Sequence, residues 1–152
     1  MSDRQYANNR KAFHDYHILE KFEAGLVLTG TEVKSVRAGR ISLREAYARI
    51  EHGEGWLLGA HIAPYEQGNI YNHEPVHPRK LLLHRDQIGH LAGKVKEGGV
   101  TIVPLRVYDR NGYVKVELGL ARGKKQWDKR QAIASREAKR EIDRAVKELS
   151  RA

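Results

Sequence analysis

Residues 16–28, YHILEKFEAGLVL, put Tyr16, Ile18, Phe22, Ala24, Leu26 and Leu28 on one side of a period-two pattern, with Glu20 as the polar exception. This alternation predicts a half-buried strand, or two strands with a kink near Gly25, because an internal glycine often marks a bend. The next stretch, TGTEVKSVRAG, changes period. Thr29 and Glu32 have capping-box spacing, Val33 and Val36 share a helical face, and Gly39 follows the last turn. A short helix over 30–38 is expected. AYARIEHGEGWLLGAHI then reads as a hairpin. Ala46, Ala48 and Ile50 alternate on one arm, Trp56, Leu58, Ala60 and Ile62 on the other, about a glycine-containing turn at 52–54.

Residues 64–79 hold Pro64, Gly68, Pro75 and Pro78 and predict a long loop, a kind of segment that is often functional. After KLLL, the spacing of Ile88, Leu91 and Val95 predicts a helix stopped by Gly98 and Gly99. In VTIVPLRVYDRNGYVKVELGL, Val103, Leu105 and Val107 lie on one face of the outgoing arm, and Val114, Val116, Leu118 and Leu120 on one face of the return. Asn111 and Gly112 between them form a strong two-residue turn signal. Pro104 falls on the opposite face and marks an edge or bulged strand. The expected fold is mainly β: a small closed antiparallel β-barrel of about six strands with two or three peripheral helices.

From Gly123 onward the chain contains no further glycine and no proline. Ala134, Ala138, Ile142, Ala145 and Leu149 have helical spacing, and Asp143–Lys147 and Arg144–Glu148 are supporting pairs. The apolar stripe is thin and mostly alanine, and an isolated helix of about 20 residues is marginal in water. A tail that is disordered when free and helical on RNA is therefore expected. The alternative is a helix docked on its own barrel through the Ile142 and Leu149 stripe. The chain divides on this reading into a barrel domain, 1–122, and a basic C-terminal tail, 123–152.

Charge sharpens that division. Of a net +9, residues 122–152 carry 11 Lys+Arg against 5 Asp+Glu, a net +6, and residues 1–121 carry 17 against 14, a net +3. Such asymmetry points to a polyanion, usually nucleic acid. A membrane surface fits less well, because the tail has no bulky anchor besides Trp127. Cysteine is absent, which excludes disulfides and thiolate metal sites. No apolar run approaches the roughly 18 residues of a membrane span, and the polar start, MSDRQYANNRKAFHDY, has no signal-peptide core. A cytoplasmic protein, monomeric when free, is expected.

Two motifs fail on inspection. His73-Glu74-Pro75-Val76-His77 is a literal H-E-x-x-H. The zinc geometry needs a helix, and Pro75 and Pro78 push the residues before them out of helical dihedrals. The run from Gly119 to Lys125 is one residue short of a phosphate loop and has Lys where Ser or Thr would hold magnesium. A local phosphate contact through Lys124 and Lys125 survives. No nucleophile sits in a recognisable motif and the eight histidines are scattered. No catalytic residue, metal or cofactor is expected, and the protein reads as a non-enzyme.

Several stretches together resemble one family: NRKAFHDY (9–16), EAGLVLTGTEVKSVRAG (23–39), RKLLLHRDQI (79–88) and GKKQWDKR (123–130), in order across roughly residues 5–131. The chain is similar to the SsrA-binding proteins, the bacterial partners of transfer-messenger RNA. The resemblance implies an oligonucleotide-binding (OB)-like barrel that binds the tRNA-like domain of that RNA near its D-loop and elbow, replacing the missing anticodon arm. It implies delivery to ribosomes stalled on broken messages, with the tail in the 16S rRNA decoding centre and the empty mRNA channel, so that the stalled peptide is tagged for proteolysis. The alternative is a general structured-RNA or ribosomal-RNA binder with no rescue role.

The resemblance also assigns residues. Asn9, Arg10 and Lys11 match a stretch near the RNA surface, against the alternative of a frayed polar terminus. Glu32 matches an acidic position facing RNA, against a purely capping role. Lys34 and Arg37 share a helix face and can clamp a backbone, or are simply solvated. Asn69, Arg79 and Lys80 match RNA-surface positions, and Lys124 and Lys125, the phosphate-contact candidates above, flank the segment that reaches the decoding centre. Trp127, Asp128, Lys129 and Arg130 match the segment that reaches the decoding centre, with Arg136, Lys139 and Arg140 on the basic face of the tail. The family usually has Tyr or His where Trp127 stands. Indole keeps a stacking face but offers only an N–H donor, so a role needing an acceptor there is lost. The alternative is a Trp127 tucked against the barrel.

Overall fold

The computed structural model describes residues 4–65 and 72–124, together with Lys139, Arg140 and Arg144. Among them the chain runs β1 (Gln5–Asn8), α1 (Arg10–Asp15), β2 (Tyr16–Leu26), α2 (Gly30–Arg37), β3 (Ile41–Ser42), β4 (Tyr47–Glu51), β5 (Glu54–Leu58), β6 (His61–Ile62), β7 (Arg79–Leu82), α3 (Arg85–Glu97), β8 (Thr101–Arg110) and β9 (Tyr113–Gly123). The strands β8, β4, β5, β7, β2 and β9 pair in that order, and β9 pairs back onto β8, so six strands close a ring. Strand β1 adds to β8, and β3 pairs with β6 in a separate small sheet. The fold is mainly β, with three helices among the described residues.

Both long hairpins are set by their turns. His52 and Gly53 (φ 51° and 73°) and Asn111 and Gly112 (φ 52° and 82°) all take positive φ, the requirement of the two-residue turn whose twist matches paired strands. Helix α3 buries Leu91 completely and stops at Gly98, φ 88°.

Two bulges decide which side chains face the ring interior. In β2, Ile18 pairs with Ala121 but Glu20 already pairs with Leu120, so Leu19 is the extra residue. Directly opposed residues share a face, and one extra residue reverses the face of everything beyond it. Tyr16 and Ile18 therefore pack outside the ring with Ala12, Val103, Leu105 and Ala121. Phe22, Ala24 and Leu26 pack inside with Val116, Leu118 and Leu120. The single face expected for residues 16–28 is thus corrected: the break falls at Leu19, not at Gly25.

The same correction applies to β8. Pro104 pairs with Leu118 and Arg106 with Glu117, leaving Leu105 as the bulge. Val103 and Leu105 join the outer cluster under α1, while Val107 joins the inner one. The expected bulge at Pro104 is present, and it splits the face that its neighbours were expected to share. In β5 the phase is also shifted by one. Gly55 and Leu57 are buried and Trp56 and Leu58 half-buried, because Leu57 is the residue opposite Ala48. Gly59, at φ 75° with Glu45 O only 2.5 Å from where a Cβ would stand, resets the phase so that Ala60 and Ile62 are buried again.

Candidate nucleic-acid interface

The organising feature is the start of α2. Thr29 Oγ1 accepts from the Glu32 backbone N–H at 3.4 Å, and Glu32 Oε1 accepts from the Thr29 N–H at 2.9 Å. This is the capping box expected from the spacing. The other carboxylate oxygen, Oε2, accepts from Arg79 Nε at 2.5 Å and His77 Nε2 at 2.8 Å. Glu32 and Arg79 are each 1% exposed. The Arg79 guanidinium also donates to the carbonyls of Ala60 (2.9 Å), Pro75 (3.0 Å) and Glu74 (3.3 Å). Burial alone would raise the Glu32 pKa. The Thr29 N–H, then Arg79 and His77, outweigh it and hold the carboxyl below its ordinary value.

A second set of contacts ties the loop before β7 to the same helix. His73 Nδ1 lies 2.8 Å from Thr31 Oγ1, and His73 Nε2 lies 3.0 Å from Ile62 O. Asn72 donates to Tyr65 O at 2.7 Å and accepts from Tyr65 N at 3.1 Å, and Lys34 Nζ lies 5.4 Å from the Tyr65 ring centroid. The two histidines of the H-E-x-x-H string are therefore struts on a non-helical segment. Sequence reading singled out their spacing but had no signal for their partners, which lie 42 and 45 residues away.

On the outer side of α2, Lys34 and Arg37 are exposed. Arg37 Nη2 donates to Gly112 O at 3.0 Å and sits 3.8 Å from Asp109 Oδ1, so the helix end is braced on the β8–β9 turn. Arg10 and Lys11 are exposed on α1 and line, with Ser42 and Arg44, a cleft of about 310 Å³. Lys80 is half-buried on β7, 3.3 Å from Glu54. Lys124 is half-buried just beyond β9, whose last residue, Gly123, pairs with Tyr16.

Asn9 is 7% exposed and fully engaged within the fold. Its Oδ1 caps α1 by accepting from Ala12 N at 3.2 Å, and its Nδ2 donates to Pro104 O at 2.9 Å and Leu43 O at 3.3 Å. Its backbone N–H donates to Leu105 O at 2.8 Å. At the β8 bulge Asn9 thus supplies donors to two adjacent carbonyls, Pro104 O from its side chain and Leu105 O from its backbone. Lys139 and Arg140 are helical and exposed. Asn69, Lys125, Trp127, Asp128, Lys129, Arg130 and Arg136 lie outside the described residues. Among the described residues no group of three or more His, Asp or Glu side chains is arranged to hold a metal, and no helix is long and apolar enough to cross a membrane.

A family model described as "SmpB protein" matches residues 6–148. The chain belongs to the SmpB family. It is 60% identical over 141 residues to the SsrA-binding protein of Carboxydothermus hydrogenoformans, covering 93% of this chain and 95% of that one. It is 61% identical over 150 residues to the SsrA-binding protein of Roseiflexus castenholzii, covering 98% and 95%. A chain solved in a structure described as "tmRNA-SmpB: a journey to the center of the bacterial ribosome" is 53% identical and superposes with a TM-score of 0.66 over 78% of this chain and 83% of its own. The SmpB match extends over most of β1, over α1 and into the segment beyond β9.

Proposed function

We propose that this protein binds the tRNA-like domain of transfer-messenger RNA and delivers it to stalled ribosomes for trans-translation. The observation that carries the proposal is likeness over nearly the whole chain to proteins named for binding SsrA. The ring of strands is an OB-like barrel occupying 1–122, and 123–152 is a basic tail that becomes helical on the ribosome. Arg10, Lys11, Lys34, Arg37, Asn69, Lys80, Lys124 and Lys125 contact RNA. Asn9, Glu32 and Arg79, buried as they are, hold that surface in shape. Trp127, Asp128, Lys129, Arg130, Arg136, Lys139 and Arg140 enter the decoding centre and the empty mRNA channel. The protein performs no catalysis: its chemistry is charge and shape complementarity to a folded RNA, whose helices are read mainly through phosphates and 2′-hydroxyls. It acts in the cytoplasm.

The test is preferential binding. Purified protein should bind transfer-messenger RNA far more tightly than elongator tRNA at matched physiological salt, since affinities compared at unequal salt mean nothing. Equal binding would sink the rescue reading in favour of a general structured-RNA binder. Truncation after Lys125, which keeps both Lys124 and Lys125, should spare RNA binding and abolish tagging of stalled peptides.

A further inference from the structure

Tyr113 is 70% exposed, the highest value for a large apolar side chain among the described residues. It follows the turn at Asn111 and Gly112 and stands opposite Arg110 in the β8–β9 register. The tip that carries it is stiff. Both turn residues hold positive φ, and Arg37 donates to Gly112 O at 3.0 Å from the end of α2. One step back, Asp109 N donates to Arg4 O at 2.9 Å, and Asp109 Oδ2 accepts from the Tyr6 hydroxyl.

The surroundings of the ring are cationic. Lys115 places Nζ 5.9 Å from the ring centroid. The acids nearby are compensated: Asp109 by Tyr6 and Arg37, and Glu23 by Arg110. An aromatic side chain kept for the fold is normally packed, with its polar end finding a partner. Here a large ring is held out into water on a braced turn, next to the cationic face of α2. A π-face beside fixed positive charge is the arrangement that receives a nucleobase while neighbouring cations meet its phosphates.

We infer that Tyr113 is a stacking platform for an unpaired nucleobase of the bound RNA, with Lys115 meeting a flanking phosphate and Arg37 bracing the tip. The inference rests on the RNA-binding function proposed above. Phenol and nucleobase stack face to face, so the hydroxyl is dispensable and the ring is not.

The experiment measures binding of in vitro-transcribed transfer-messenger RNA and of an elongator tRNA over a range of salt. The proteins are the full chain and its Tyr113→Phe, Tyr113→Leu and Tyr113→Ala variants. Tyr113→Phe should bind like the parent. The Leu and Ala variants should lose about 5- to 150-fold in affinity, the range that stacking on one base provides. Their slopes of log affinity against log salt should not change, because a stacking contact releases no counterions. Thermal midpoints should also be unchanged, since an exposed tip residue supports no packing. A loss of less than twofold for Tyr113→Ala overturns the inference. So does full affinity of Tyr113→Leu, which would indicate simple apolar contact, or loss by Tyr113→Phe, which would indicate a hydroxyl contact. If the parent binds both RNAs equally, the rescue function fails, but the four proteins still test Tyr113 on either RNA. A parent that binds neither RNA overturns both.

Discussion

Glu32→Gln is the sharpest probe of how the site is built. The substitution keeps the side chain's shape and removes only its charge. Gln can still accept from the Thr29 N–H, so the cap of α2 survives. Its amide nitrogen then faces Arg79 Nε, donor against donor, in a place where Glu32 and Arg79 are each 1% exposed. The guanidinium retains the carbonyls of Ala60, Glu74 and Pro75 but has lost its counterion. Removing one partner of a buried ion pair costs about 3–5 kcal/mol. That is a large share of a total stability on the order of 5–15 kcal/mol. For a chain of 152 residues, at about 2–4 °C per kcal/mol, the thermal midpoint should fall by roughly 6–20 °C. Denaturant melts of Glu32→Gln, Arg79→Met and the double variant make the assay. The double variant should cost less than the sum of the singles by about 1–3 kcal/mol, because its second change removes a charge already stranded. A Glu32→Gln cost under about 1 kcal/mol, or strict additivity, would refute the account of the cluster as a coupled buried pair.

The same carboxyl predicts a pH dependence. Its pKa in the folded chain lies below the ordinary value of 4.5, so its contribution is fully present above that value and is lost as pH falls through the folded pKa. Stability of the parent should therefore drop more steeply on acidification below about pH 4.5 than that of Glu32→Gln, and parallel curves would be the wrong result. Asn9→Ala removes a helix cap, worth about 0.5–2 kcal/mol, and leaves two carbonyls short of a donor, so melts should show a loss of about 2–4 kcal/mol in all; a loss of RNA affinity with unchanged stability would instead make Asn9 a direct contact. Lys34→Ala should weaken RNA binding on every RNA tested and reduce the salt slope by about 1, as should Arg37→Ala, and an unchanged slope would remove that residue from the phosphate-contacting set.

Much of the fold could be read locally because its determinants are local. The Thr29–Glu32 box, the Asn111–Gly112 turn and the glycine stop after α3 each act within a few residues, and each appears as expected. What escaped reading is what depends on distant partners. A bulge such as Leu19 is a mismatch between two strands, visible only once β2 is laid against β9. Strand β1 and helix α1 carry no apolar period, and are held by β8 and by the donors of Asn9 rather than by their own pattern. Arg79 follows a proline and immediately precedes KLLL, which locally reads as an exposed charge at a strand end. Its burial needs a carboxylate 47 residues away. The basic candidates Arg10, Lys11, Lys34 and Arg37 are exposed, as cations on short surface helices are whatever they face.

The buried pair also explains how a carboxylate can sit beneath a cationic helix. A well-packed apolar pair of the same volume is often as stable as a buried salt bridge, so stability alone does not account for Glu32 and Arg79. The pair instead restricts geometry. One carboxylate satisfies Thr29, His77 and Arg79 at once, and that guanidinium satisfies two carbonyls of the segment before β7 and that of Ala60 ahead of β6. These directional bonds together fix the position of α2 against that segment. An unpaired Glu32 would meanwhile oppose the positive field of Lys34 and Arg37. Arg79 cancels that charge from within, so the positive field outside α2 is undiminished while its position is fixed from below.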